Sequence, residues 1–185
     1  MIVWRLLPWQ PGASPRSPGG ALWFPRELQG AGRHDNPDRY GCLYVSETPV
    51  SVVVEGLASF RGAPTLTNGM LTRAGVRLAL AQLELHDDGQ LVDLDNPRTL
   101  IDTELRPSEV ATGIRSVTQS YVLRLLDAQP GLLGLRWWST IEASLINLTL
   151  FDRAQHELSV IDVTPLTVAD VVVREGADLL GLATY

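Results

Sequence analysis

Apolar residues recur along this chain in two periods, and the switches between them mark out its elements. Residues 2–7, Ile-Val-Trp-Arg-Leu-Leu, read as a short strand, and Cys42-Leu43-Tyr44-Val45 reads as a second. Ser46 or Thr48 then offers a helix cap with Pro49 in the first turn, and the helix is expected to run through Glu55 to about Phe60. Residues 76–85 are strand-like, Asp88-Gly89 makes a turn and residues 91–94 return, which predicts a hairpin. Asn96-Pro97 opens a short helix. Val117, Tyr121 and Leu125 at helical spacing predict a longer one over 116–126, stopped by Pro130-Gly131. Residues 145–151 and 158–163 read as strands, and Thr167 caps a last helix reaching about Leu180. Irregular interleaving with a hairpin predicts an α+β fold with mixed or antiparallel sheets, not a doubly wound parallel sheet. With no internal repeat and no linker, one domain over residues 1–185 is expected.

Between the first two strands lies a Pro/Gly-rich stretch, with Pro8, Pro11, Pro15, Pro18, Gly19, Gly20, Pro25, Gly30 and Gly32. Loops this long inside one domain are usually functional or disordered. Arg33, Tyr44 and Glu55 then follow at equal intervals of eleven residues, on a loop, a strand and a helix. Glycines let a backbone approach a ligand closely, and a guanidinium offers a planar fork to phosphate oxygens. Glu55 sits on a helix that is otherwise apolar, where an unpaired charge is costly. Ligand hydroxyls or an arginine would supply its partner. Such a set suits a phosphorylated, aromatic-bearing ligand and a developing positive charge.

Other candidates have plainer readings. His34, His86 and His156 lack the close-spaced partners of a zinc site and read as surface or loop histidines. Cys42, the sole cysteine, reads as a small buried hydrophobe; it excludes an internal disulfide and fits a reducing compartment. Asp87-Asp88 and Asp93-Asp95 read as a turn and a helix entry, so no metal is expected. Ser139 follows Arg136-Trp137-Trp138 with no adjacent histidine and no nucleophile elbow, so its hydroxyl is expected to position and not to attack.

At 185 residues, 45% hydrophobic and 19% charged, the composition is that of an ordinary globular protein. All 15 basic residues are arginine, which reads as genomic bias. A net charge of −6 argues against nucleic acid as the principal partner. Residues 1–11 lack the apolar core and cleavage site of a signal peptide, and no stretch suits a bilayer span. A cytoplasmic protein is expected, without membrane or nucleic-acid contacts.

Gly32-Arg33 before Asn36-Pro37, then Leu43-Tyr44-Val45-Ser46-Glu47-Thr48, then Glu55, resembles the core motif of RES-domain proteins, a family named for arginine, glutamate and serine. Val92-Asp93-Leu94, Thr118-Gln119 and the run from Gly134 to Ser139 extend the likeness, which spans the chain from about Trp4 to the last strand. The resemblance implies a fold similar to ADP-ribosyltransferase toxins, with NAD bound between sheet and helices. It implies an NAD-degrading toxin, acting by hydrolysis or phosphorolysis and held inactive by an Xre-like antitoxin. Arg33, Tyr44, Glu55 and Ser139 are the functional positions so implied, with Arg5 as a further NAD contact. The chain departs from the pattern at His34-Asp35-Asn36 and at Thr140-Ile141-Glu142. Those departures keep in view a relative that binds NAD or a partner without turnover, and the acceptor, which the sequence leaves open, keeps in view an ADP-ribosyltransferase acting on a macromolecule.

Overall fold

β2 (Cys42–Ser46) and β7 (Ile146–Phe151) run antiparallel through the middle of an eight-stranded sheet, with Tyr44 opposite Thr149 and Ser46 opposite Asn147. The computed structural model describes residues 1–183. The remaining strands are β1 (Ile2–Pro8), β3 (Thr72–Arg73), β4 (Val76–Leu85), β5 (Leu91–Asp93), β6 (Gly134–Trp138) and β8 (Leu158–Pro165). Their order is β3-β4-β1-β2-β7-β6-β5, with β8 also paired to β4. The β5–β6 pair is parallel, and the other described pairs are antiparallel. The helices are α1 (Pro49–Leu57), α2 (Pro97–Asp102), α3 (Pro107–Val110), α4 (Arg115–Ala128) and α5 (Val171–Leu180). The fold is α+β with a mixed sheet.

Strand alternation sends successive side chains to opposite faces. One face presents Leu43, Val45, Leu148 and Leu150 with Val3, Leu7, Ala81 and Leu83, and is covered by Ala21, Leu22 and Phe24 of the long loop after β1. On the other face, Cys42, Leu135, Trp137 and Phe151 pack against Tyr121, Val122, Leu125 and Leu126 of α4. Beside them, α1 packs on α5 through Val52, Val53, Val54, Leu57, Val173, Ala177 and Leu180. Val53, Val54 and Leu57 are wholly buried, worth roughly 1.5–3 kcal/mol each. The two helices approach closely because Gly176 faces Val53; a Cβ there would lie 2.8 Å from Val53 Cγ1. Between α1 and α4 the sheet presents polar side chains, and there the cleft opens.

The long loop has no helix or strand longer than a 3-10 turn, yet it is tied down by side chains. Gln29 pairs with the Cys42 backbone, accepting from its N–H at 2.6 Å and donating to its carbonyl at 2.9 Å. Gln119 of α4 donates to the carbonyls of Gly30 and Gly32 at 3.3 and 3.0 Å.

Two expectations from the sequence are corrected. The predicted hairpin of residues 76–85 with 91–94 does not form: both sides of β4 are taken by β1 and β8, and β5 pairs with β6 instead. The hairpin that does form joins β3 to β4 through Ala74-Gly75, both at positive φ, as a tight two-residue turn requires. The last helix starts at Val171 with Asp170 at its N-cap, while Thr167 donates its N–H and hydroxyl to the Asp170 carboxylate. At α1 the cap is Thr48, whose Oγ1 accepts from Ser51 N at 3.2 Å.

Candidate active site

The cross-strand pairs Tyr44–Thr149 and Ser46–Asn147 lie on the helix-covered face. Tyr44, Ser46 and Asn147 floor a cleft of about 380 Å³, whose walls include Arg33 and Gly32 from the loop, Val52 and Glu55 from α1, Arg115 and Thr118 from α4, and Trp137 from β6. That volume falls in the range of small-ligand pockets.

Arg33 reaches the cleft because its loop is built from below. Asp35, only 5% exposed, accepts from Gly30 N at 2.9 Å, from Gly32 N at 2.7 Å and from the Tyr44 hydroxyl at 2.6 Å. The Tyr44 oxygen in turn accepts from His34 N at 2.9 Å. A Cβ at position 32 would collide with the Asp35 carboxylate and lie 2.5 Å from the Tyr44 hydroxyl, so only glycine fits. Arg33 donates from Nη1 to the Val110 carbonyl at 2.8 Å, and its guanidinium lies 5.0 Å from the Trp137 ring centroid. Its own carbonyl accepts from the Thr118 hydroxyl. A guanidinium carries five donors, so most remain for a ligand.

Burial first, and the nearby Cys42 and Asp35 second, push the Tyr44 phenol far above its ordinary pKa. It is a neutral donor and acceptor at any working pH.

Of the three histidines read as surface or loop residues, His34 lies on the loop but not at the surface. It is fully buried, with Nδ1 2.8 Å from Thr149 Oγ1 and Nε2 2.9 Å from the Tyr121 hydroxyl. Its ring meets Trp137 edge-on at 5.2 Å. Burial, then the Arg33 charge, hold its pKa well below the ordinary 6.5. The polar loop sequence points outward only until Thr149 and Tyr121, both distant in sequence, supply partners inside.

Glu55 is half-buried, and its partner is an amide: Asn147 Nδ2 donates to Oε1 at 2.8 Å. No arginine pairs with it among the described residues.

The structure thus brings Arg33, Tyr44 and Glu55 to one cleft and leaves Arg5 and Ser139 out of its lining. Trp4 pairs with Ser46 on the cleft face, so alternation turns Arg5 to the other face of β1. There its guanidinium donates to the carbonyls of Ala21 and Trp23 at 2.5 and 2.8 Å, and burial lowers its pKa to about 10. Arg5 staples the long loop. Ser139 is 1% exposed, and its Oγ accepts from Ile141 N at 3.0 Å, holding the turn that carries Thr140 into the cleft lining.

Asn147, Arg115, Asp35 and His34 are the groups that sequence reasoning passed over or placed elsewhere. For Asn147 a signal exists: with Thr149 it alternates with leucines in a strand buried along both faces.

A family model described as RES domain matches residues 2–170. No curated protein matches the sequence. Among solved structures, a chain of the M. tuberculosis MbcT–MbcA toxin–antitoxin complex shares the fold at a TM-score of 0.65 and 17% sequence identity, over 97% of this chain and 88% of that one.

Proposed function

The chain belongs to the RES-domain family, and from that premise we propose that it is the toxin of a toxin–antitoxin pair and cleaves the nicotinamide–ribose bond of NAD. One observation carries this reading. A guanidinium with donors to spare and a carboxylate held by a neutral amide line the same cleft, together with a phenol fixed in its neutral form.

When the glycosidic bond breaks, its electron pair leaves with nicotinamide, and positive charge develops on the ribose. A carboxylate without a cationic partner stabilises that charge, as in glycoside hydrolysis. Glu55 takes this role through the ribose hydroxyls. The cationic pyridinium departs as neutral nicotinamide, so no proton has to be delivered to it. Tyr44 and His34, neither of which titrates near neutral pH in this setting, suit such chemistry.

Arg33 clamps the pyrophosphate by charge-assisted hydrogen bonds. Arg115, on the first turn of α4 and in the cleft lining, takes the second contact assigned from sequence to Arg5. Tyr44 packs on the nicotinamide end, and Ser139 acts through the turn bearing Thr140. Of the departures from the family pattern, His34 and Asp35 fall beneath the lining and build the arginine loop; Thr140 alone changes the lining itself.

The solved neighbour is a toxin bound to its antitoxin. By likeness to it, a protein partner restrains this chain, and the resemblance to the family makes that partner Xre-like. Water as acceptor makes the protein an NAD glycohydrolase, and inorganic phosphate makes it a phosphorylase.

Chromatography of NAD, nicotinamide, ADP-ribose and its 1-phosphate, with and without inorganic phosphate, tests the reading and names the acceptor. Glu55→Gln is expected to lower the rate by roughly 10²–10³-fold with an unchanged melting temperature. A folded Glu55→Gln protein that consumes NAD at the wild-type rate refutes the assignment. NAD binding by the wild type without product favours the alternative of a non-turnover relative.

A further inference from the structure

Asn147 lies in β7 at 3% exposure with every polar atom of its side chain engaged by the cleft wall. Oδ1 accepts from Ser46 Oγ at 2.6 Å and from Ser51 Oγ at 3.0 Å, and Nδ2 donates to Glu55 Oε1 at 2.8 Å. Ser51 and Glu55 are four residues apart on α1, so helical spacing brings both onto one amide. Ser46 reaches it because it is the cross-strand partner of Asn147.

We propose that Asn147 is the positioning residue for Glu55. The inference rests on the reading of Glu55 given above and adds the device that orients it. The two serine hydroxyls anchor the amide in place, and the acceptor-only carboxylate selects which way it points. Rotated by half a turn, it would set a carbonyl oxygen against the carboxylate, an acceptor facing an acceptor. In the observed orientation the amide donates to Oε1 and fixes it, and leaves Oε2 with no protein partner among the described residues. The other titratable groups lining the cleft are Arg33, Tyr44 and Arg115, and none of them hydrogen-bonds to Glu55. The carboxylate is therefore aligned by a neutral group that does not quench its charge. A pairing arginine would align it equally well and cancel the field that the reaction uses.

Asn147→Asp is the diagnostic variant. It is isosteric and keeps an acceptor for both serines, and only the atom facing Glu55 changes, from donor to anionic oxygen. Two carboxylates in contact share a proton to higher pH than one alone. Nicotinamide release by the variant is expected to fall roughly 10²-fold in kcat, with the KM for NAD within about twofold of wild type, and the acid limb of its pH profile is expected to move upward. Ser51→Ala, which removes one of the two hydroxyls anchoring the amide, is expected to lower kcat several-fold without moving the acid limb. Carbon-detected NMR titration of the residue 55 carboxyl in the ligand-free proteins reads the same coupling without any turnover, and residue 55 is expected to titrate at higher pH in Asn147→Asp than in wild type. Wild-type kcat, pH profile and residue 55 titration in folded Asn147→Asp overturn the inference. If the wild-type chain releases no nicotinamide, the functional reading fails, and the NMR titration alone decides the coupling.

Discussion

A histidine walled in beneath an arginine should leave its mark on how stability depends on pH. In an unfolded chain the imidazole takes up a proton near pH 6.5. In the folded protein burial, and then the Arg33 charge, prevent this for His34. Below that pH the unfolded state therefore binds one more proton, and stability falls as pH falls by about 1.4 kcal/mol per unit. The contribution is present in full above pH 6.5. Between pH 7 and pH 5 this one group removes about 2 kcal/mol, a large share of the stability of a typical domain. His34→Gln keeps a donor and an acceptor for Thr149 and Tyr121 but does not titrate. Urea unfolding followed by tryptophan fluorescence at the two pH values is the assay. The variant is less stable at pH 7, yet it should lose about 2 kcal/mol less than wild type on going to pH 5. Every other group is common to the two proteins and cancels in that difference. Equal losses in the two proteins would mean that His34 accepts its proton in the folded state, and the account of the buried loop would be wrong.

The other perturbations test packing and the division of labour among the arginines. Arg5→Ala removes both links to the loop carbonyls and should cost roughly 1.5–3 kcal/mol in urea unfolding, while the KM for NAD stays put; a raised KM in a protein of unchanged stability would return Arg5 to the binding site. Gly176→Ala should destabilise by roughly 1–3 kcal/mol because its methyl meets Val53, although alanine is the better helix former; a stabilised variant would show that α1 and α5 are not in close contact.

Local pattern carried most of the elements, because β1, β2, β4, β7 and α4 each bury a face that their own periodicity reveals. Pairing partners were less legible. The turn at Asp88-Gly89 reads locally as a reversal, but β5 keeps the sense of β4 and pairs with β6, whose residues lie far along the sequence. The site was legible in the same uneven way. Arg33, Tyr44 and Glu55 stand out as a charged, phenolic and acidic residue in glycine-rich or apolar surroundings. Arg5 looked equivalent to Arg33 until strand parity sent it to the other face. His34 and Asp35 look like solvated loop residues, since what buries them, Thr149, Tyr121 and two backbone amides, shows only in three dimensions. Asn147 is marked in sequence only as a polar residue in a buried strand; its role was not legible, because its three partners come from two other elements.

The stretch joining β1 to β2 takes its shape from Arg5, Gln29, Asp35 and Gln119, all four of which bond it to β1, β2 or α4. Its conformational freedom is surrendered when the chain folds, well before any encounter with a small molecule. Calorimetry of capture would then show the modest heat-capacity change of a ligand entering a ready-made mould, and none of the large change that accompanies ordering of a segment.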